Sequence, residues 1–157
     1  ADGRRAGIDV RNCDFESMSD EDLRQLGHFK VVLAMDVLEH FKNPWTAISK
    51  LAKMVAPDGV LIASIPNVRY GPVLWNLVAG GRWDYADSGI LDRTHLRFFT
   101  RSSAIELVRE AFDVLEVKPL HMRRAALLNA ATLGVFHEFL ALQFLIKGKP
   151  RSQLAMH

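Results

Sequence analysis

With 157 residues, the chain is long enough for one domain with a hydrophobic core and too short for two. Its 49% hydrophobic and 24% charged residues are ordinary for a globular protein, and its formal net charge of +2 comes from scattered basic residues, which argues against a dedicated nucleic-acid surface. The one cysteine, Cys13, excludes an internal disulfide and a cysteine-based metal site, and it indicates a reducing, cytoplasmic compartment.

The predicted elements alternate between short apolar runs and helices, a pattern typical of an α/β protein with a largely parallel sheet. The first predicted strand is residues 7–13, and the residues before Gly7 indicate the last turn of a helix that ends at a glycine cap. Because the chain begins inside this helix, and with Ala1 rather than Met, we expect it to be processed or cut from a longer protein.

The next three elements are predicted from clear local signals. The segment Phe29–Met35 is rich in Val and Leu with hardly any alternation, which predicts a buried strand of the kind found in parallel sheets. Asn43 as the N-cap and Pro44 as the first helical residue predict a helix, which residues 56–59 end. Residues 60–65 are predicted to form the next buried strand.

A long segment without a clear period follows these elements. Residues 68–99 are predicted to contain a helix and then a long loop. A helix then begins at residue 100, 102 or 103 and continues to about residue 111, with Glu106 placed for a capping box against Ser103.

The rest of the chain is predicted to contain three elements: a strand at 112–117, a helix at 123–135 and a strand at 139–147. Segment 125–146 is long and apolar enough to suggest a membrane span, but polar residues interrupt it, and burying them in hydrocarbon costs several kcal/mol. A core helix followed by a strand is the better interpretation, so no transmembrane segment is expected. We expect one domain over residues 1–149 and a short tail at 150–157.

A cluster of ionisable residues follows the predicted strand at Phe29–Met35. Asp36, Glu39 and His40 lie where an open α/β sheet binds its ligands, beyond the carboxyl end of a strand. A metal site, a catalytic site and an ordinary turn all compete as interpretations. A metal site needs two histidines at helical spacing or ligands from several elements, and one histidine lies here, so we expect no metal.

The second candidate constellation is the segment 92–100, which contains His95. A histidine in a loop of an α/β enzyme can take the proton from a hydroxyl or amine, because its ordinary pKa lies near neutral pH. The alternative is a hydrogen bond from His95 that orders the loop. Arg93 and Arg97 either meet an anionic substrate or brace the loop through nearby aspartates. The same two interpretations, an acceptor pocket or packing, apply to the aromatic residues Trp83, Tyr85, Phe98 and Phe99.

Two segments together resemble a known family. The run VVLAMDVLEHFKNPWTAISKLAKMVAPDGVLIASIPN (residues 31–67) resembles the second half of a class I S-adenosylmethionine-dependent methyltransferase, with its V-L-E-H turn, its helix, its proline and glycine break and its strand that ends in Pro-Asn. The run GRWDYADSGILDRTHLRFFT (residues 81–100) resembles bacterial enzymes that methylate surface polysaccharides or related small molecules. The resemblance implies a Rossmann-like α/β fold with an antiparallel last strand, S-adenosylmethionine as cofactor, and a small-molecule or sugar acceptor without nucleic acid.

The resemblance also implies a set of cofactor-binding residues. Asp14 is placed where the family binds the adenine amino group, and the backbone N–H of Phe15 would face the ring. The alternative for Asp14 is an Asx-turn at the strand exit. Ala34, Met35 and Asp36 are placed where the family's fourth strand approaches the methionine end of the cofactor, largely through main-chain groups.

His40 and His95 are the catalytic candidates. The resemblance places His40 near the cofactor pocket, and His95 is the loop histidine described above. Methyl transfer is an in-line displacement that depends largely on proximity and orientation, so a base is often dispensable.

The sequence departs from the family in one large respect. The family holds its cofactor mainly through a glycine-rich turn after its first strand and an acidic residue at the end of its second strand. Neither feature is present, and Gly80-Gly81 is no substitute because no buried strand precedes it. We therefore expect a fold truncated at its N-terminus, without its first two strands, and impaired in cofactor binding.

The expected truncation has a structural consequence. Without its central neighbour, the strand Phe29–Met35 would expose a bare edge. We expect this edge to pair with the strand at 7–13, to form a homo-oligomer, or to take up a borrowed segment. The main functional alternative is accordingly a non-catalytic interaction or oligomerisation module derived from a methyltransferase domain. A nucleotide-binding enzyme of another chemistry, such as a dehydrogenase, is disfavoured by the ordered landmarks of residues 31–67.

Overall fold

The computed structural model describes residues 12–121 and 136–151. In chain order the elements are α1 (Asp20–Leu26), β1 (Phe29–Met35), a 3₁₀ turn (Leu38–His40), α2 (Pro44–Met54), β2 (Val55–Pro66), α3 (Gly71–Gly80), α4 (Arg101–Arg109), β3 (Phe112–His121), α5 (His137–Leu140) and β4 (Ala141–Pro150). The predicted helix at 123–135 lies outside the described residues, as does most of the predicted strand at 7–13 and of the tail at 150–157.

The four strands form one sheet in the order β1-β2-β4-β3. β1 and β2 are parallel, while β4 lies between β2 and β3 and is antiparallel to both. Strands β1, β2 and β3 therefore run in one direction and the last strand runs in the other. The predicted Rossmann-like α/β fold with an antiparallel last strand is confirmed.

The helix starts follow from capping side chains. Asn43 Oδ1 accepts a hydrogen bond from the Thr46 N–H at 3.1 Å, and Pro44 is the first residue of α2, as predicted. At α4 the cap is Thr100, whose hydroxyl and backbone form a reciprocal capping box with Ser103. The predicted box between Ser103 and Glu106 is therefore wrong, because Ser103 is already the third helical residue.

β2 begins at Val55, directly after α2, and not at residue 60. The predicted break at 56–59 is an irregular part of the strand, where the register between β1 and β2 shifts. A Cβ on Gly59 would lie 2.8 Å from the carbonyl oxygens of Phe29 and Lys30. Glycine is needed here because the two backbones approach too closely for a side chain.

β1 is half-buried rather than buried throughout. Val32 and Ala34 pack into the core, whereas Val31, Leu33 and Met35 are 52%, 63% and 43% exposed. The prediction from the unbroken apolar run is wrong on this point, because one face of the strand is open to solvent. Among the described residues, β2 is the only strand that pairs with β1.

The hydrophobic core lies on the covered face of the sheet. Two helices pack on it through the following buried residues: Ala47, Ile48, Leu51 and Ala52 of α2, and Ala104, Ile105, Leu107 and Val108 of α4. No helix in the described part of the chain combines the length and apolar character needed to cross a membrane.

Candidate active site beyond β1

The turn after β1 is fixed to the end of β2. Asp36 has a φ of 50°, in the left-handed region that a non-glycine residue rarely adopts. Its backbone N–H donates to Ser64 Oγ at 2.9 Å, and Ser64 Oγ donates to Asp36 Oδ1 at 2.9 Å. Because Ser64 is fully buried, this exchange holds the Asp36 carboxylate in one position at the sheet edge.

The 3₁₀ turn and the loop after α3 are tied together at Glu39. The carbonyl oxygen of Glu39 accepts from the N–H groups of Leu96 and Arg97 at 2.9 and 3.0 Å. A few residues earlier in the same loop, the N–H of His95 donates to the Asp92 carbonyl at 3.0 Å. These hydrogen bonds place His95 next to the 3₁₀ turn that contains His40.

The two imidazoles are oriented in the same way. His40 Nδ1 lies 3.1 Å from the Thr94 carbonyl oxygen, and His95 Nδ1 lies 2.9 Å from the Ile90 carbonyl oxygen. Because a carbonyl only accepts, Nδ1 carries the hydrogen in each ring, and Nε2 of the neutral ring keeps its lone pair. The rings meet edge to face with centroids 4.7 Å apart.

Glu39 places a carboxylate beside these rings. Its side chain is 1% exposed, and Oε1 lies 3.8 Å from His95 Nε2. Neither carboxylate oxygen has a hydrogen-bond partner among the described residues. Burial raises the pKa of Glu39, and the nearby Asp36 charge raises it further, while His95 and His40 lower it. A buried polar group without a partner is uncommon in folded proteins, and here it marks a candidate site.

These side chains surround a cavity of about 350 Å³ beyond the carboxyl ends of the parallel strands β1 and β2. Its lining residues are Asp36, Glu39, His40, Pro66, Gly89, Ile90, Asp92, His95, Leu142 and Gln143. The polar cluster predicted from the sequence therefore faces a hollow, and the loop at 89–95 forms its other wall.

The loop after α3 is held by its own contacts. The rings of Trp83 and Tyr85 lie 5.4 and 6.3 Å from the Phe98 ring, and Arg93 pairs with Asp87 at 3.0 Å. A second cavity of about 530 Å³ is lined by Tyr85, Arg93, His95, Leu96 and Phe98. The predicted bracing by Arg93 is confirmed. Trp83, Tyr85 and Phe98 pack together, and Tyr85 and Phe98 also line this cavity. Phe99, in contrast, is buried in the core.

Asp14 and Phe15 are not among the residues that line the 350 Å³ cavity. Asp14 is exposed, and its Oδ1 accepts from the Glu16 N–H at 3.1 Å, the Asx-type bond that is the structural alternative for this residue. Phe15 packs on Phe41 with ring centroids 5.9 Å apart. Lys50 holds this segment in place by donating to three of its backbone carbonyls.

Of the three residues predicted near the methionine end, only Asp36 lines the cavity. The side chain of Ala34 is in the core, and that of Met35 is half exposed on the open face of β1. Both are paired with β2 in the sheet, opposite Ala63 and Ser64. A cofactor role for either would therefore use main-chain groups, as predicted.

Sequence reasoning placed Glu39 in the ionisable cluster after β1 but did not name it as a catalytic or cofactor-binding residue, although its side chain is only 1% exposed. Its position next to His40 at a strand end was the available signal. The contact between His40 and His95 could not be read from the sequence, because α2, β2, α3 and a loop separate the two residues.

The sheet topology, with polar groups gathered beyond its parallel strand ends, defines a Rossmann-like α/β protein with a ligand-binding edge. Residues 2–117 match the methyltransferase-domain family, and the chain belongs to that family.

Individual relatives are more distant. The ubiquinone biosynthesis O-methyltransferase of Agrobacterium fabrum is 35% identical over 65 residues, which are 41% of this chain and 25% of that protein. The N-methyltransferase NodS from Bradyrhizobium japonicum, solved with S-adenosyl-L-homocysteine, has a TM-score of 0.56 at 15% identity. A possible histamine N-methyltransferase from Thermotoga maritima has a TM-score of 0.60 at 15% identity.

These matches differ in what they cover. The two structures cover 96% and 94% of this chain, and the chain spans 60% and 66% of theirs. The [4+2]-cyclase SpnF is similar to the same extent, with a TM-score of 0.55 at 19% identity. The structural likeness thus shows the fold, and the chemistry has to be argued from the site.

Proposed function

We propose that this chain is part of an S-adenosylmethionine-dependent methyltransferase with a small-molecule or saccharide acceptor. The observation that carries the proposal is the cavity beyond β1 and β2, lined by Asp36, Glu39, His40 and His95, in a chain of the methyltransferase-domain family. In this reaction the bond from sulfur to the methyl carbon breaks as the bond from the acceptor to that carbon forms. Sulfur keeps the electron pair and leaves as S-adenosylhomocysteine, and the acceptor releases a proton.

The charge of the cavity suits the cofactor. The sulfonium is cationic, and the carboxylate of Asp36 is fixed at the cavity wall by Ser64. A fixed negative charge attracts a nearby cation most strongly where water is partly excluded. In the proposed arrangement, main-chain groups of Ala34 and Met35 approach the methionine end of the cofactor. Asp14 and the N–H of Phe15 bind its adenine end.

His95 is proposed to stand between cofactor and acceptor, because it lines both the 350 Å³ cavity and the cavity bounded by Tyr85 and Phe98. The Nε2 lone pair of His95, or that of His40, then takes the proton that the acceptor loses. In both rings Nδ1 donates to a backbone carbonyl, and this hydrogen bond fixes the position of Nε2, the nitrogen that takes the proton.

Cofactor binding by the 157-residue chain is proposed to be weak. The sequence contains no glycine-rich turn after a strand, the feature whose backbone N–H groups bind the cofactor most directly in the family. Titration with S-adenosylhomocysteine, followed by amide NMR shifts, tests both parts of the proposal. We expect shifts at Asp36, Glu39 and His95 only at high micromolar to millimolar ligand.

The control for this titration is the Asp36→Asn variant, which keeps the side-chain shape and removes the negative charge. This variant should weaken the binding of S-adenosylmethionine more than that of S-adenosylhomocysteine, whose sulfur carries no charge. No shift at the cavity with either ligand would contradict methyl transfer at this site. Low-micromolar affinity would leave the site intact and contradict the proposed impairment.

The second candidate function is an oligomerisation module whose partner is a second copy of the chain. The observation in its favour is the open face of β1, where Val31, Leu33 and Met35 are exposed on one side of a strand that pairs with β2 alone among the described residues. Unpaired strand edges with apolar side chains are templates for pairing with another chain.

Light scattering after size exclusion tests this alternative. We expect a dimer that Leu33→Lys weakens, whereas Val78→Lys leaves it unchanged, because Val78 is an exposed apolar residue on α3 far from the β1 edge in sequence. A monomer at all protein concentrations would rule out the oligomerisation module.

A further inference from the structure

We propose that Glu39, His40 and His95 form a binding site for a divalent transition-metal cation. Each residue offers one ligand atom, and the three atoms lie within 4.8 Å of one another. The sequence argued against a metal because one histidine lies in the first cluster. The fold supplies the second histidine from the loop after α3.

The spacing of the ligand atoms suits a cation after a small adjustment. Bonds of about 2.0–2.2 Å from zinc to nitrogen or oxygen place ligand atoms about 3–3.5 Å apart. The 3.8 Å between Glu39 Oε1 and His95 Nε2 is already close to this range. The loop and the turn need little movement to close the rest, because the Leu96 and Arg97 amides already tie the loop to Glu39.

The histidines have the orientation that a metal requires. Histidine ligands of metals usually donate their second ring N–H to a carbonyl or carboxylate, which fixes the tautomer and the ring plane. His40 and His95 both do so, to the carbonyls of Thr94 and Ile90. The Nε2 lone pairs of both rings are thus available, and that of His95 lies 3.8 Å from Glu39 Oε1.

Glu39 is the second, independent observation. Its carboxylate is buried, it lines the cavity, and both of its oxygens are unpartnered among the described residues. Leaving a buried carboxylate in this state is unfavourable. A cation bound to the two imidazoles would supply the missing opposite charge.

The ligand set selects the class of cation. Two imidazoles and one carboxylate suit Mn²⁺, Fe²⁺, Co²⁺ and Zn²⁺, whereas Mg²⁺ prefers oxygen ligands and keeps several waters. Three protein ligands would also leave coordination positions for a further ligand, and all three line the same cavity as Asp36 and Asp92. We therefore infer that an oxygen of a small ligand completes the coordination. Metal binding does not rest on the proposed function, whereas its use in methyl transfer does. A bound cation would occupy the Nε2 lone pairs of His40 and His95, so it would replace them as the proton acceptor by lowering the pKa of an acceptor oxygen bound to it.

The experiment uses the 157-residue chain after dialysis against a chelator. Calorimetry with Co²⁺, Mn²⁺, Zn²⁺ and Mg²⁺, without cofactor, should show one saturable site that binds the three transition metals more tightly than Mg²⁺. The visible absorption of Co²⁺ gives a spectroscopic signature of nitrogen and oxygen coordination that surface binding does not produce.

Three variants remove one ligand each. His40→Asn and His95→Asn keep a side-chain N–H for the Thr94 and Ile90 carbonyls and lose Nε2, while Glu39→Gln removes the charge. Each should weaken Co²⁺ binding by at least about 100-fold, since loss of an outer-shell partner alone costs 10–100-fold. The matched control is His28→Asn, which changes an exposed histidine outside the site.

The outcomes separate cleanly. If no saturable binding occurs, or if all variants bind Co²⁺ as the wild type does, the metal proposal is wrong. Titration with S-adenosylhomocysteine in the presence of chelator tests cofactor binding without metal. Failure of the proposed function can therefore be distinguished from failure of the metal proposal. Circular dichroism and thermal unfolding without metal show that each variant is folded, and the three variants act as checks on one another.

Discussion

Glu39 is a buried acid whose surroundings do not compensate for its charge. It lies within reach of two imidazoles, yet the distance to His95 is too long for a hydrogen bond. Its raised pKa arises first from burial and then from the charge of Asp36. When its carboxylate is ionised and unpaired, the residue therefore lowers the stability of the fold, a feature more typical of functional sites than of structural ones.

The replacement Glu39→Gln in the presence of chelator should make this visible as a pH dependence. The raised pKa means that the folded protein holds this proton more tightly than the unfolded chain does. The resulting stabilisation is complete below the ordinary pKa of 4.5 and is lost as pH rises through the folded value. Gln cannot ionise, so the variant should gain stability relative to wild type as the pH rises from 4.5 towards neutral pH.

Urea unfolding at several pH values measures this difference. A constant difference between the two proteins across the range would show that Glu39 is solvated or partnered in the folded chain. Addition of Co²⁺ at neutral pH should reverse the order, because the cation binds the wild type more tightly and therefore stabilises it more.

At the scale of elements, Asn67 joins the end of β2 to the start of β4. Its Nδ2 donates to the carbonyls of Glu138 and Ala141 at 2.6 and 2.9 Å, and its Oδ1 accepts from the Arg69 N–H at 3.0 Å. The side chain is fully buried. One amide thus satisfies three backbone groups at the point where α5, β2 and β4 meet.

Asn67→Ala should lower the free energy of unfolding by about 1–3 kcal/mol or more, because it leaves buried carbonyls without a donor. The control is Asn76→Ala on α3, since Asn76 is exposed and its replacement should change stability by less than about 0.5 kcal/mol. Equal effects of the two replacements in urea unfolding would contradict the structural role given to Asn67.

The same residue shows what the sequence could and could not predict. Helices and strands followed from local signals such as the Asn43 cap, and the Pro-Asn end of β2 was recognised as a family landmark. The two carbonyls that Asn67 binds, those of Glu138 and Ala141, are more than 70 residues away in the chain, so its role could not be predicted from the sequence. The Glu39, His40 and His95 cluster is of the same kind, because its members come from two separate elements.

For the whole molecule, the sheet has one covered face and, at β1, one open face. The unbroken apolar run of β1 predicted burial, but the run does not record which elements cover the strand. Leu33 on β1 is 63% exposed, whereas Leu61 on β2 belongs to the core and is fully buried. The two leucines differ in their surroundings and not in their chemistry.

This pair gives a direct test of where the core lies. Leu61→Ala should cost about 2–5 kcal/mol because it removes packed methyl groups and leaves a cavity. Leu33→Ala should cost under about 1 kcal/mol, the range of strand propensity at exposed positions. Unfolding in urea at low protein concentration measures both. A large loss for Leu33→Ala would mean that another surface covers this face in solution.

The side chain of Glu39 lines the cavity, and its backbone carbonyl accepts hydrogen bonds from the Leu96 and Arg97 amides of the loop after α3. The 3₁₀ turn and the loop after α3 are therefore coupled. A ligand that moves the Glu39 carboxylate should also change the position of the loop. Deuterium uptake at the Leu96 and Arg97 amides should therefore slow when a ligand binds in the cavity. Hydrogen exchange at these amides would thus report binding of an unlabelled ligand.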